Sequence, residues 1–171
     1  MKKDHSLQRR PLFAPIWLPA LAALVLLSVG AWLWRTADST TVVVLRPAES
    51  QSGAARLAAA FGDPAAPGRI DALYRSSSAG ARQTAAPLAA RLGLQPIEAA
   101  AADSRALARR LLRENHGRRA LVVADPEIMG RLAAALAGRG DLPAVAADDY
   151  DIVYVVTVPD VGRGTVLRLR Y

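Results

Sequence analysis

From Pro11 to Trp34 the sequence holds no charged residue: PLFAPIWLPALAALVLLSVGAWLW. A bilayer core about 30 Å thick takes roughly 20 helical residues at about 1.5 Å each, so this run is long enough to span one. Pro15 and Pro19 lie in its first half, which predicts a regular helix from about Pro19 to Trp34 with a kinked extension upstream. Trp17, Trp32 and Trp34 fall near the two ends, where amphipathic rings prefer the interface. Lys2, Lys3, Arg9 and Arg10 precede the run and only Arg35 follows closely. The positive-inside bias then keeps the N-terminus cytoplasmic and sends the rest outward.

The expected layout is a basic cytoplasmic N-terminus at 1–11, a single-pass transmembrane anchor at 12–34, a linker at 35–40 and one domain at 41–171. The anchor would sit in the inner (cytoplasmic) membrane with the domain periplasmic, or otherwise extracytoplasmic. A cleaved signal peptide is the alternative. Its charged start fits, and Val29-Gly30-Ala31 could be cut, but the run is long for a signal peptide and Trp-Leu-Trp would be an odd mature start.

Charge has to be divided before it is interpreted. Of the net +7, residues 1–35 supply five basic side chains against one acidic, and residues 36–171 supply seventeen against fourteen. In the second part arginines alternate with acids, aromatics are few and no nucleic-acid motif occurs, so no nucleic-acid partner is expected. The sequence has no cysteine, which removes disulfides, thiolate catalysis and Cys-ligated metals. A domain of this length can bury enough apolar surface without such staples.

The domain alternates strands with helices. Thr41–Leu45 (TVVVL) and Ala120–Val123 read as strands buried on both faces, Arg69–Tyr74 and Gln95–Glu98 as further strands, and Ile152–Val158 with Thr165–Tyr171 as a closing hairpin. Helices are predicted from Ser50 or Ser52 to Phe61, from Gln83 to Leu92 with Pro87 near the first turn, after an Asp103 cap, and from Pro126 to Leu136. In the third of these, Leu107, Leu111 and Leu112 line one side while Arg105, Arg109 and Arg113 repeat on another. Such alternation implies an α/β three-layer sandwich with a largely parallel central sheet.

Three segments carry a family resemblance: VVVLRPAES (Val42–Ser50), LYRSSSAGARQTAAPLAARLGL (Leu73–Leu94) and LVVADP (Leu121–Pro126). In that order, and with the closing YDIVYVVTVPDVGRGTVLRLRY, the chain resembles the short bacterial branch of the histidine phosphatase (phosphoglycerate-mutase-like) superfamily. The resemblance covers nearly everything after the apolar run and implies that superfamily's fold.

In active members a His at the end of the first strand takes the phosphoryl group. Two arginines and a second His hold the phosphate, and a carboxylic acid protonates the leaving group. Carried over by position, the first Arg is Arg46, the nucleophile is Pro47, the second Arg is Gly80 and the second His is Asp125. Three of the four functional groups are missing, so the motifs are degenerate and no catalytic residue is intact.

Each remaining polar residue has a structural reading beside a functional one. Arg46 is expected to pair with Asp125, the alternative being a residual anion contact. Asp125, followed by Pro126, reads as a helix N-cap. Arg75 and Arg82 could supply replacement positive charge for an anion, although surface arginines are commoner, and Glu49 reads as a loop residue. His116 is placed at a helix C-terminus and His5 before the anchor, so no metal site and no cofactor are expected. The expectation is a membrane-anchored, catalytically inactive histidine-phosphatase-fold protein, a pseudoenzyme acting by binding or assembly at the outer face of the membrane, with its protein partner unspecified. The alternative is a phosphatase acting on phosphorylated small molecules or phosphohistidine through a rearranged site.

Overall fold

Runs such as TVVVL and RALVV have no polar face, so they are stable only where helices cover a sheet on both sides. The computed structural model describes residues 17–36, 39–66, 68–99, 103–140, 152–160 and 162–170, and it places those runs side by side at the centre of one sheet. After helix α1 (Trp17–Thr36), the elements are β1 (Ser39–Leu45), α2 (Gln51–Phe61), β2 (Ala72–Arg75), α3 (Ala79–Leu92), β3 (Ile97–Glu98), α4 (Ser104–Glu114), β4 (Arg119–Val123), α5 (Pro126–Ala137), β5 (Ile152–Pro159) and β6 (Thr165–Arg170). The strand order is β3-β2-β4-β1-β5-β6.

The sheet is mixed. β3, β2, β4 and β1 run parallel, with Leu45 beside Val123, while β5 pairs antiparallel with β1 and β6 antiparallel with β5. The β5–β6 pairing is antiparallel because their connection is too short for a parallel crossover of about a dozen or more residues.

Two apolar layers form on opposite faces. Leu57 and Ala58 of α2 and Ala81, Ala85 and Leu88 of α3 pack on Val43, Leu45, Leu73, Leu121 and Val123. Leu107 and Leu111 of α4 and Met129, Leu132 and Leu136 of α5 pack on Val42, Val44, Tyr74 and Val122. Alternate residues of β1 thus feed opposite cores, which is the three-layer arrangement.

The boundaries depart from expectation where local signals are weak. β1 starts at Ser39 instead of Thr41, and β2 covers Ala72–Arg75 instead of Arg69–Tyr74. α3 begins four residues before Gln83, because the Ser78 hydroxyl accepts from the Ala81 amide at 3.2 Å and caps it. Pro87 therefore lies inside α3 and not in its first turn. On β6 the two leucines are exposed, Leu167 by 53% and Leu169 by 44%, so the strand is open on both faces.

α1 up to Arg35 belongs to a unit separate from residues 36–171. Its described side chains are those of residues 21–30, and the apolar ones, Leu24, Leu26 and Leu27 among them, are exposed. Those ten residues make about 15 Å of helix, half a bilayer core. Among the described residues no helix is long and apolar enough to cross a membrane. The basic start at 1–11 and the first residues of the expected transmembrane anchor at 12–34 lie outside the described residues.

One polar link crosses the α4-side core. Tyr74, 1% exposed, donates its hydroxyl to Glu114 Oε2 at 2.9 Å and accepts from Asn115 Nδ2 at 3.0 Å. Asn115 also donates to the Leu111 carbonyl, so the buried amide is satisfied. Burial holds the phenol above its ordinary pKa; the Asn115 bond pulls downward and the Glu114 carboxylate upward. The unfolded chain therefore ionises first as pH rises past about 10, and the contribution of Tyr74 to stability, present below that pH, is lost as the pH climbs through the folded value. Urea midpoints measured near pH 9 and near pH 11 should fall between the two for the wild-type chain. The fall should be smaller in Tyr74→Phe; an equal fall would show that the link carries no alkaline sensitivity.

Candidate functional site

Polar chemistry in such a sheet is confined to its ends, since the strand middles are sealed. At the carboxyl ends of β1, β2 and β4 the backbone ladder runs one step further, with the Ala124 amide donating to Leu45 O at 2.8 Å and the Ser76 amide to Val123 O at 2.9 Å. Arg46–Ala48, Ser76–Ser78 and Asp125 leave the sheet there together, beside the first turns of α3 and α5.

In open α/β sheets the crevice for ligands lies outside the carboxyl ends of the strands, and Pro47, Gly80 and Asp125 all stand at that end. A Cβ on Gly80 would stand 3.3 Å from Pro47 Cβ, so residue 80 abuts Pro47 and has little room for a side chain. Two residues before it, Ser78 Oγ donates to Asp125 Oδ1 at 2.7 Å. The carboxylate has no proton to give, so the one Ser78 proton points at it. The 3.1 Å contact between Ser76 Oγ and Ser78 Oγ must then be donated by Ser76. With the Ala81 amide also bonded, Ser78 Oγ has both lone pairs and its proton in use.

One expectation changes here. Asp125 does occupy the N-cap position of α5 with Pro126 following, but its side chain makes no capping hydrogen bond. It turns across to Ser78 instead, because a hydroxyl already fixed at the N-terminus of α3 offers a better-placed donor than its own helix. Arg46, expected to pair with Asp125, is half-buried and engaged in a contact of its own.

The remaining candidates lie away from the crevice or are committed. Arg75 reaches toward β3, with Nη2 at 3.0 Å from Glu98 Oε2 and Nη1 donating to Ser76 O at 3.2 Å. Arg82 and Glu49 are exposed. The amide of Ala48, the first after Pro47, donates at 2.8 Å to Thr84 Oγ1, a fully buried hydroxyl. His116 is at the opposite end of the sheet, 2.8 Å from Asp160 Oδ1. His5 is outside the described residues. Among the described residues no group of His, Cys, Asp and Glu could hold a metal ion.

Sequence reasoning missed Ser76, Ser78 and Thr84. The only signal for Ser78 was the Ser76-Ser77-Ser78 run ahead of an Ala-rich stretch, which the first-turn Gly80 obscured. The Ser78–Asp125 bond, charge-assisted and partly buried, ties α3 to the end of β4. Ser78→Ala should cost about 1–2 kcal/mol through the lost cap and the abandoned carboxylate. In a double-mutant cycle with Asp125→Ala, measured by urea unfolding, the coupling should reach at least about 0.5 kcal/mol. Additive effects would show that the bond contributes nothing.

Solved structures with this arrangement share little sequence with the chain. A phosphoglycerate mutase from Plasmodium falciparum matches with a TM-score of 0.59 and 10% identity, over 77% of this chain and 91% of that one. A mycobacterial hydrolase matches with a TM-score of 0.57 and 13% identity, over 78% and 99%. A mycobacterial glucosyl-3-phosphoglycerate phosphatase matches with a TM-score of 0.54 and 14% identity, over 75% and 97%. No family model and no curated relative matches the sequence. At these identities the likeness concerns the backbone: residues 36–171 carry the phosphoglycerate-mutase-like, or histidine-phosphatase, fold.

Proposed function

We propose that the protein is a membrane-tethered, non-catalytic form of this fold, acting by binding or assembly at the outer face of the inner membrane. The observation that carries the reading is the content of the crevice: Pro47, Gly80 and a Ser78-bonded Asp125 stand where the resemblance puts a nucleophilic His, an Arg and a second His. Proline has no atom that can take a phosphoryl group. The chain's two histidines are His5 and His116, and His116 lies at the far end of the sheet.

Electrostatics points the same way. Two unit charges about 4 Å apart interact by about 4 kcal/mol at an effective dielectric near 20. Removing one guanidinium and adding one carboxylate therefore weakens dianion binding by several powers of ten, since each factor of ten is about 1.4 kcal/mol. The donors that line such a site in principle are also spent, the Ser78 hydroxyl on Asp125 and the Ala48 amide on Thr84. The tethering part of the reading rests on the uncharged run from Pro11 to Trp34 and the basic residues before it.

Full-length protein in detergent, incubated with p-nitrophenyl phosphate, should release no more phenolate than a heat-killed control. Turnover that disappears in Arg46→Ala would overturn the non-catalytic reading. Pro47→His alone should stay inactive, because the positive clamp is still missing. For topology, a reporter fused after Tyr171 should be active only when it is one that works outside the cytoplasm; activity of a cytoplasm-only reporter would reverse the orientation.

A further inference from the structure

The opposite end of the sheet, where β1 begins, gathers positive charge that no described contact explains. α2, α3, α4 and α5 all finish there, and the negative ends of helices attract cations. Arg91 and Arg113 lie in the last turns of α3 and α4 and answer that field. Arg118, Arg139 and Arg163 lie beyond any last turn, are exposed, and have no described ion pair. Arg118 precedes β4, Arg139 follows α5 and Arg163 precedes β6. The Gly164 amide donates to Ala137 O at 3.2 Å, which holds the last two segments together. Arg69 adds a fourth guanidinium, only loosely paired with Asp71 at 3.6 Å.

From β4 to β6 is three strand steps, about 14 Å. That spacing is too wide for one small anion but suits an array of anions in a plane. A cavity of about 390 Å³ opens on the same end, where Arg69 and Arg118 stand beside Pro64, Leu92 and Leu94. Guanidinium groups next to apolar side chains match the phosphate and glycerol levels of a lipid surface. The candidate anchor precedes β1 directly in the sequence, and β1 enters the sheet at this end.

We infer that this end of the domain docks on anionic phospholipid headgroups, with Arg118, Arg139 and Arg163 as its contacts. The inference rests on the membrane-tethered reading above. It gives the domain an orientation: the crevice with Asp125 is at the far end of the strands and faces away from the lipid.

The chain has no cysteine, so single labels are simple to place. Gly140 has nothing within 4 Å of a would-be Cβ and an ordinary φ, which suits Gly140→Cys at the basic end. Glu127→Cys, in the first turn of α5, reports the crevice end. Full-length protein carrying a fluorophore at either site would be reconstituted in nanodiscs of phosphatidylcholine, with or without phosphatidylglycerol, plus a headgroup-nitroxide lipid.

The label at 140 should be quenched strongly only when phosphatidylglycerol is present, and the label at 127 in neither disc. Each of Arg118→Gln, Arg139→Gln and Arg163→Gln should lower the docked-to-undocked ratio about five-fold, and added salt should lower it further. Equal quenching in both lipids, stronger quenching at 127, or an unchanged triple variant would overturn the proposal. So would reversal by inorganic phosphate at constant ionic strength, which would mark a small-anion site. Retention in phosphatidylcholine discs through an alkaline wash reads the anchor separately. If retention fails, the response of the 140 label to phosphatidylglycerol vesicles still decides the docking surface.

Discussion

The central pair of strands, β1 and β4, dictates most of what this domain can be. Val42, Val44, Leu45, Leu121 and Val123 are all 0–1% exposed, so neither face of the pair can hold a polar side chain without orphaning it. Helices must cover both faces, which fixes the layers. Polar groups are pushed to the two ends of the strands, which fixes where any chemistry or recognition can occur. The crevice with Asp125 and the arginine-rich end are the two outlets that this seal leaves.

At the carboxyl ends of the parallel strands, the positive end of one helix is met by a group of the chain itself. The N-terminus of α3 carries partial positive charge that favours a negative group. Asp125 brings a carboxylate to it through Ser78, and that carboxylate belongs to the chain. Any other anion at the start of α3 would have to displace that carboxylate. The same bond joins α3 to the end of β4.

Much of the framework was legible because it follows from runs of one kind. TVVVL and LVV announce sealed strands, and Asp103 and Ser50 do cap helices, with side-chain oxygens accepting from Arg105 N at 2.9 Å and Gly53 N at 3.1 Å. What was not legible depends on partners far apart in sequence. Asp125 has every local mark of a capping residue, and only a hydroxyl 47 positions away turns it aside. Tyr74 and Asn115 look like an ordinary strand aromatic and a helix-end amide until they are brought into contact across 41 positions. The start of α3 was hidden by its own composition, since Gly80 in the first turn weakens the local helical signal just where Ser78 supplies the cap.

β6 has an effect on behaviour that its modest packing conceals. Arg168 and Arg170 alternate with exposed leucines along the outermost strand, a charged fringe that discourages other chains from adding to the sheet. Behind it, β5 (IVYVVTVP) has no charge at all and high strand propensity. A chain clipped by a protease just before Thr165 would hand the sheet margin to β5, and its bare amides and carbonyls would template intermolecular pairing. The last strand is therefore a gatekeeper against self-association, and preparations that lose it should be cloudy before they are unfolded.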